Sequence, residues 1–119
     1  MSHRVIIALG SNTQQEANIR LAVDHLLPLL GPAVRYSPAL WTDPIGIQSD
    51  RFLNLILVGH TDQDATAFVK LLKTLEQDMG RRKGYCTLDA DLLAYDEQRF
   101  HESDWQRPYI QQLLKTLLL

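Results

Sequence analysis

Apolar residues recur along this chain with two different periods, and the changes of period mark out its secondary structure. Short runs rich in β-branched residues or leucine predict four strands, over residues 4–9, 33–41, 52–58 and 87–93. Two other segments repeat their apolar residues every three or four positions, which predicts helices that each bury one stripe. The stripes are Ile19, Ala22, Val23, Leu26, Leu27 and Leu30 in the first helix, and Ala65, Phe68, Leu71, Leu72 and Leu75 in the second.

Turn and cap residues predict where these first elements end. The Gly-Ser-Asn sequence at residues 10–12 predicts a turn directly after the first strand. Gly31 and Pro32 end the first helix, because glycine accepts the left-handed cap conformation and proline does not continue a helix. The second helix begins near Asp64 and ends at Gly80.

The second half of the chain contains one long loop and a closing helix. Residues 42–51 show no periodicity, and loops of this length in compact domains are often functional. Residues 96–97 predict a turn into a short segment that ends near His101. Pro108 suits the first turn of a helix, so residues 109–119 are expected to form a leucine-rich third helix.

The order of these elements predicts the fold class. The predicted order corresponds to two split βαβ units: strand, helix, strand, strand, helix and strand, followed by a C-terminal helix. This order predicts an α+β fold with a ferredoxin-like antiparallel sheet and both long helices on one face.

Composition narrows the class of protein. A chain of 119 residues with 45% hydrophobic and 22% charged residues is typical of one soluble globular domain, here residues 1–119. A net charge of −2 argues against general nucleic-acid binding. The single cysteine, Cys86, forms no intramolecular disulfide, and no leader or apolar run of about 20 residues is present. These features predict a cytoplasmic protein without a membrane segment.

The fourth predicted strand carries two acidic residues, Asp89 and Asp91. Side chains alternate across a strand, so both project from one face about 7 Å apart. Like charges this close repel unless a cation lies between them, and Mg²⁺ takes such a carboxylate pair. Arg81, Arg82 and Lys83 precede the strand and offer cations for a polyphosphate. These residues predict a metal-nucleotide site, although a solvated edge strand beside a basic surface loop fits the same residues.

Two further polar features call for partners. Asn54 interrupts an apolar strand, and a bond to nearby loop backbone is the plain structural explanation for a buried amide. Glu76 and Asp78 lie in the last turn of the second helix, where the helix dipole disfavours anions. Arg81 and Arg82 are the nearest cations in sequence.

Five motifs occur in the order and spacing of a known enzyme family. They are Ala8-Leu9-Gly10-Ser11-Asn12, Thr42-Asp43-Pro44-Ile45-Gly46, Phe52-Leu53-Asn54, Thr87-Leu88-Asp89-Ala90-Asp91, and His101 with Arg107 and Tyr109. Through them the chain resembles 6-hydroxymethyl-7,8-dihydropterin pyrophosphokinase, an enzyme of folate biosynthesis.

The resemblance implies a reaction and its co-substrates. ATP, as co-substrate, gives its β,γ-pyrophosphoryl group to the hydroxymethyl oxygen of the reduced pterin and leaves as AMP. Asp89 and Asp91 correspond to the residues that hold two Mg²⁺ ions bridging the triphosphate. This chemistry needs mainly positioning and electrostatic stabilisation from the protein.

The resemblance also implies roles for the remaining motif residues. Arg81 and Arg82 are implied in catalysis, and Phe52 and Tyr109 sandwich the flat pterin, whose polar edge Asn54 reads. The expected pterin-binding loop consists of Thr42, Asp43, Pro44, Ile45 and Gly46, and the expected phosphate contacts are Arg81, Arg82, Lys83, His101 and Arg107.

The chain also departs from the family pattern. In the family a long lid with a tryptophan and an arginine precedes the Thr-Leu-Asp sequence, whereas here residues 83–86 are all that remain. Asp43 and Ile45 replace a usual proline and leucine, and the chain ends after the third helix. Two alternatives therefore stay open: a non-catalytic relative that binds pterin or nucleotide, and an interaction module on the same sheet. The expected partners are small molecules, with the protein a monomer or weak homodimer.

Overall fold

The computed structural model describes residues 2–46, 48–80 and 87–119. Its strands are β1 (His3–Ser11), β2 (Arg35–Tyr36), β3 (Leu40–Thr42), β4 (Phe52–Thr61), β5 (Asp89–Tyr95) and β6 (Gln98–Arg99). Its α-helices are α1 (Gln15–Leu26), α2 (Ala65–Asp78), α3 (Glu102–Trp105) and α4 (Pro108–Thr116), and a 3₁₀ turn covers Leu27–Leu29.

The strands form one antiparallel sheet with β1 at its centre. The order across the sheet is β2-β4-β1-β5-β6, and β3 pairs with β4 as well. Each of the paired strands runs antiparallel to its neighbour. The expected mixture of helices with an antiparallel sheet is confirmed.

Helices cover both faces of the sheet because β1 and β4 are apolar on both sides. On one face, α1 and α2 pack on Val5, Ile7 and Leu9 of β1, which confirms that both long helices share a face. On the other face, α3 and α4 pack on Ile6 and Ile56. The cavity described below opens on this second face.

The predicted second strand, residues 33–41, is wrong as a single element. It is divided into β2 and β3 at Ser37 and Pro38. Proline has no N–H to donate to the ladder, and Ser37 turns inward, where its hydroxyl accepts the Ile56 N–H at 2.9 Å. The break leaves β3 free to form a separate pairing with the start of β4.

The first helix is also shorter than its apolar stripe. Helix α1 ends at Leu26, and a 3₁₀ turn with Pro28 near its start follows. Leu30 is nevertheless fully buried, so the stripe predicted the buried face correctly and the helix end wrongly. Gly31 has the predicted positive φ, 80°.

Several other boundaries differ from the sequence prediction. Gly10 and Ser11 belong to β1 instead of a turn, because they continue the pairing with β4. Strand β4 continues to Thr61, and α4 ends at Thr116 instead of reaching the last residue. Helix α3 was not predicted, whereas Asp64 caps α2 as expected, accepting the Ala67 N–H at 2.7 Å.

The C-terminal leucines divide between the core and the surface. Leu113, Leu114 and Leu117 are buried in this chain, whereas Leu118 is 91% exposed. Within residues 2–46, 48–80 and 87–119, none of the helices combines the length and apolar character required to cross a bilayer.

Candidate functional site

The site is built where three central strands lie side by side. Gly10 of β1 is opposite Asn54 of β4 on one side and Asp89 of β5 on the other. A Cβ atom at Gly10 would lie 3.1 Å from Asn54 Oδ1 and 3.6 Å from a ring carbon of Phe52. Glycine at this position therefore leaves room for both side chains above the sheet.

A cavity of about 180 Å³ opens between this face of the sheet and α4. It contains most of the residues that the sequence predicted for the site: Thr42, Asp43, Ile45, Phe52, Asn54, Asp89, Asp91, Arg107 and Tyr109. Pro44, Gly46 and His101 are not among the residues that line it. Arg81, Arg82 and Lys83 lie outside the described residues.

A β-bulge in β5 follows the two aspartates and changes which side chains come after them on the same face. Ile7 pairs with Leu92 but Ile6 pairs with Ala94, so Leu93 is an extra residue in the ladder. Asp89 and Asp91, before the bulge, line the cavity, and Leu93 and Ala94 at the bulge both pack under α3 and α4.

Carboxylate oxygens of Glu76, Asp89 and Asp91, here called the acidic cluster, lie within 4.8 Å of one another. Glu76 is 5% exposed and accepts the Ala90 N–H at 2.7 Å. Because Ala90 separates the two aspartates, this bond fixes the backbone that carries both of them. Sequence reasoning placed Asp89 and Asp91 together but did not place Glu76 with them.

Lys73 lies one helical turn before Glu76 and contacts the acidic cluster. Its Nζ is 3.3 Å from Glu76 Oε2 and 3.5 Å from Asp91 Oδ1. Partial burial acts to lower the pKa of Lys73, but the neighbouring carboxylates, above all Glu76, outweigh it and the pKa is raised. Lys73 thus supplies a cation near Glu76, where the sequence had suggested Arg81 and Arg82.

The donor set of the acidic cluster fits a hard divalent cation. Asp89 and Asp91 are partly exposed, so a bound ion could complete its shell with water or phosphate oxygens. His101 is near, with Nε2 at 3.9 Å from Asp91 Oδ1, and lies at the start of α3.

Asn54 lies on the opposite wall of the cavity and links β4 to β3. Its Nδ2 donates to Thr42 Oγ1 at 2.7 Å and to the Leu40 carbonyl at 3.2 Å. The expected bond to nearby loop backbone is therefore only partly correct, because the backbone acceptor, the Leu40 carbonyl, belongs to β3 and the shorter bond goes to the Thr42 side chain. Oδ1 lies toward Gly10, along the cavity lining.

Tyr109 and Arg107 enter the cavity from the start of α4. Burial raises the pKa of the Tyr109 phenol, and the nearby Asp104 carboxylate adds to the effect. Arg107 Nε donates to Asp104 Oδ1 at 3.1 Å, and both residues line the cavity. Asp104 was not predicted from the sequence.

Weak signals for the missed residues existed in the sequence. Glu76 continues the buried stripe of α2, four positions after Leu72, and a carboxylate on a buried stripe requires a partner. Lys73 at i−3 from Glu76 is a suitable partner. Asp104 has the corresponding i+3 relation to Arg107.

Residues 6–118 match the family model described as 7,8-dihydro-6-hydroxymethylpterin-pyrophosphokinase (HPPK). Among curated proteins the chain is 34% and 33% identical to two folate synthesis bifunctional proteins of Arabidopsis thaliana, one of them mitochondrial, over 98% and 96% of its length. It is 30% identical to the mitochondrial folate synthesis bifunctional protein of Pisum sativum. The alignments cover 24%, 27% and 25% of those relatives, so the chain spans about a quarter of their length.

Proposed function

The chain belongs to the 7,8-dihydro-6-hydroxymethylpterin-pyrophosphokinase family, and we propose that it transfers the β,γ-pyrophosphoryl group of ATP to the hydroxymethyl oxygen of 6-hydroxymethyl-7,8-dihydropterin. The bond between the hydroxymethyl oxygen and the β-phosphorus forms as the bond from the β-phosphorus to the oxygen that bridges it to the α-phosphorus breaks. AMP leaves with that oxygen, and the hydroxyl proton passes to water. This is the reaction implied by the sequence resemblance, and family membership confirms that resemblance.

The acidic side of the cavity is the proposed metal-triphosphate site. Asp89 and Asp91 bind Mg²⁺ in this proposal, with Glu76 fixing their strand through Ala90. Bound Mg²⁺ supplies charge neutralisation at the phosphates. Arg107 lines the same cavity and offers its guanidinium to phosphate oxygens once it exchanges Asp104 for the nucleotide.

The opposite side of the cavity is the proposed pterin site. Phe52 and Tyr109 offer aromatic faces to the flat ring system, and Asn54 offers its amide oxygen to the polar edge. Thr42 keeps Asn54 in one orientation through the 2.7 Å bond. Backbone groups of residues 42–46 complete the pterin contacts.

The observation that carries this proposal is a single cavity that contains the aspartates, the amide and both aromatic residues. The test is to incubate the purified protein with ATP, Mg²⁺ and hydroxymethyldihydropterin and to measure AMP. We expect AMP from the wild type, and its loss in Asp89→Asn and in Asp91→Asn. Asp96→Asn, at the β5–β6 turn, is the matched control and should keep the activity.

Two outcomes would contradict the proposal in different ways. Binding of both ligands without AMP would favour the alternative of a non-catalytic relative. Full activity in both aspartate variants would move the metal site elsewhere. Circular dichroism of each variant separates these outcomes from loss of the fold.

The proposal extends to architecture and context. We propose a ferredoxin-like sheet in which β2 and β3 together form the second strand, supported by the strand order. We propose that residues 1–119 act as one domain on small-molecule substrates, as a monomer or weak homodimer. The cytoplasmic location stays a prediction, since curated relatives include mitochondrial proteins.

A further inference from the structure

Lys73 places an ammonium group where a divalent cation is proposed to bind. Its Nζ approaches Glu76 Oε2 at 3.3 Å and Asp91 Oδ1 at 3.5 Å. The acidic cluster is compact, with oxygen atoms of all three residues within 4.8 Å. A metal ion among these oxygens would lie only a few ångströms from Nζ.

We propose that Lys73 is a positioning residue that serves as the internal counter-ion of the acidic cluster and opposes binding of divalent cations until nucleotide is present. The inference rests on the proposed function to the extent that the same carboxylates bind the metal. Under this proposal metal binds together with nucleotide and not before it.

The charges of the described residues support this role. Lys73 offsets part of the carboxylate charge of the acidic cluster, because its Nζ contacts both Glu76 and Asp91. A bare divalent ion among these oxygens would be repelled by the ammonium. The triphosphate brings negative charge that compensates both cations.

The local structure gives the Lys73 ammonium one rigid contact and leaves the head group able to move. Glu76 is buried and fixed by the Ala90 N–H, so one anchor of the ammonium is rigid. The Lys73 side chain is 49% exposed, so the ammonium can withdraw from Asp91 toward solvent. The contact can therefore yield to a metal that arrives with nucleotide.

The size of the effect follows from Coulomb's law. A divalent charge about 4 Å from an ammonium in a water-like dielectric lowers the binding constant roughly thirtyfold, and withdrawal of the half-exposed head group reduces this to roughly tenfold. A long-range effect of net charge alone would be smaller and would be shared by other lysines on the helix.

The experiment measures Mn²⁺ binding without nucleotide, by titration calorimetry and by the electron paramagnetic resonance signal of free Mn²⁺. We expect Lys73→Met to bind Mn²⁺ roughly tenfold more tightly than the wild type. Lys73→Arg keeps the charge and should restore wild-type affinity. Lys70→Met, an exposed lysine on the same helix, is the matched control and should change affinity less than twofold.

A second titration contains a non-hydrolysable ATP analogue. The analogue should increase Mn²⁺ affinity more for the wild type than for Lys73→Met, because the phosphates compensate the ammonium. Equal increases would overturn the inference, as would an unchanged or weaker affinity of Lys73→Met in the first titration. A purely structural role for Lys73 would weaken metal binding instead of strengthening it.

Asp91→Asn separates this inference from the proposed function. If Asp91→Asn loses Mn²⁺ binding while Lys73→Met gains none, the metal site stands and the role of Lys73 is wrong. If Asp91→Asn binds Mn²⁺ as the wild type does, the proposed metal site itself is wrong.

Discussion

Replacing Gly10 with alanine tests whether β1 must approach Asn54 closely for the cavity to bind pterin. The new Cβ would lie 3.1 Å from Asn54 Oδ1, which is tighter than ordinary van der Waals contact. The amide cannot move away freely, because its Nδ2 is held by Thr42 Oγ1 at 2.7 Å and by the Leu40 carbonyl at 3.2 Å. The added methyl group must therefore displace the amide against these bonds.

The magnitude follows from the bonds that are disturbed. An intramolecular hydrogen bond contributes about 0.5–1.5 kcal/mol net, and displacement of Asn54 weakens one such bond together with its proposed contact to the pterin. We expect pterin binding to weaken by about 1–2 kcal/mol, or roughly 5- to 30-fold. Nucleotide binding should change little, because its proposed contacts are on β5 and at the start of α4.

The assay is calorimetric titration with the pterin and, separately, with Mg²⁺ and a non-hydrolysable ATP analogue. Gly59→Ala is the control, since its Cβ would lie 2.6 Å from Leu30 Cβ and 2.8 Å from the Leu30 carbonyl oxygen, outside the cavity. That variant should lose thermal stability but keep pterin affinity. Pterin affinity of Gly10→Ala within twofold of the wild type would refute the reasoning, and equal losses for both ligands would indicate a general folding defect.

Three further predictions concern aromatic stacking, pH and turnover. Phe52→Ala and Tyr109→Ala should each weaken pterin binding by on the order of 1 kcal/mol or more beyond any change in nucleotide binding, measured by calorimetry with both ligands. The hydrogen bond with His3 lowers the pKa of the Asp96 carboxyl. The ionised carboxylate therefore stabilises the fold above the ordinary carboxyl pKa of about 3.9, and this stabilisation is lost as the pH falls through the lowered pKa of Asp96. Urea unfolding should therefore show Asp96→Asn less stable than the wild type at pH 7 and equal to it in strong acid, and a difference that persists in acid would contradict this. Turnover should be about 30- to 1,000-fold slower than in family members with the long lid. The reason is that residues 83–86 are too few to exclude water as that lid would, or to supply the cationic contact of the lid. Comparable turnover in steady-state kinetics would show the reasoning about the lid to be wrong.

Local patterns in the sequence predicted the features that depend on near neighbours. The two-residue period of a strand places Asp89 and Asp91 on one face whatever the strand packs against. The apolar stripes identified the buried faces of α1 and α2, and Asp64 identified the start of α2. The shared motifs identified the family, which the match over residues 6–118 confirms.

Interruptions within an element were harder to predict, because they depend on what the neighbouring strand offers. Pro38 is a sequence signal against a single second strand, but the position of the break depends on Ser37, whose hydroxyl accepts the Ile56 N–H of β4. The bulge at Leu93 likewise depends on how β1 and β5 pair. Neither feature has a local periodicity that would announce it.

The tertiary structure alone decided how the acidic cluster is completed. Glu76 and Lys73 belong to α2, whereas Ala90 and Asp91 belong to β5. The contacts between them depend on how α2 is rotated and packed against the sheet. Sequence spacing along α2 can pair Lys73 with Glu76, but it cannot give the distance to a strand. The physical reason is that periodicity determines which side of an element a residue occupies, whereas packing of whole elements determines which residues of different elements meet.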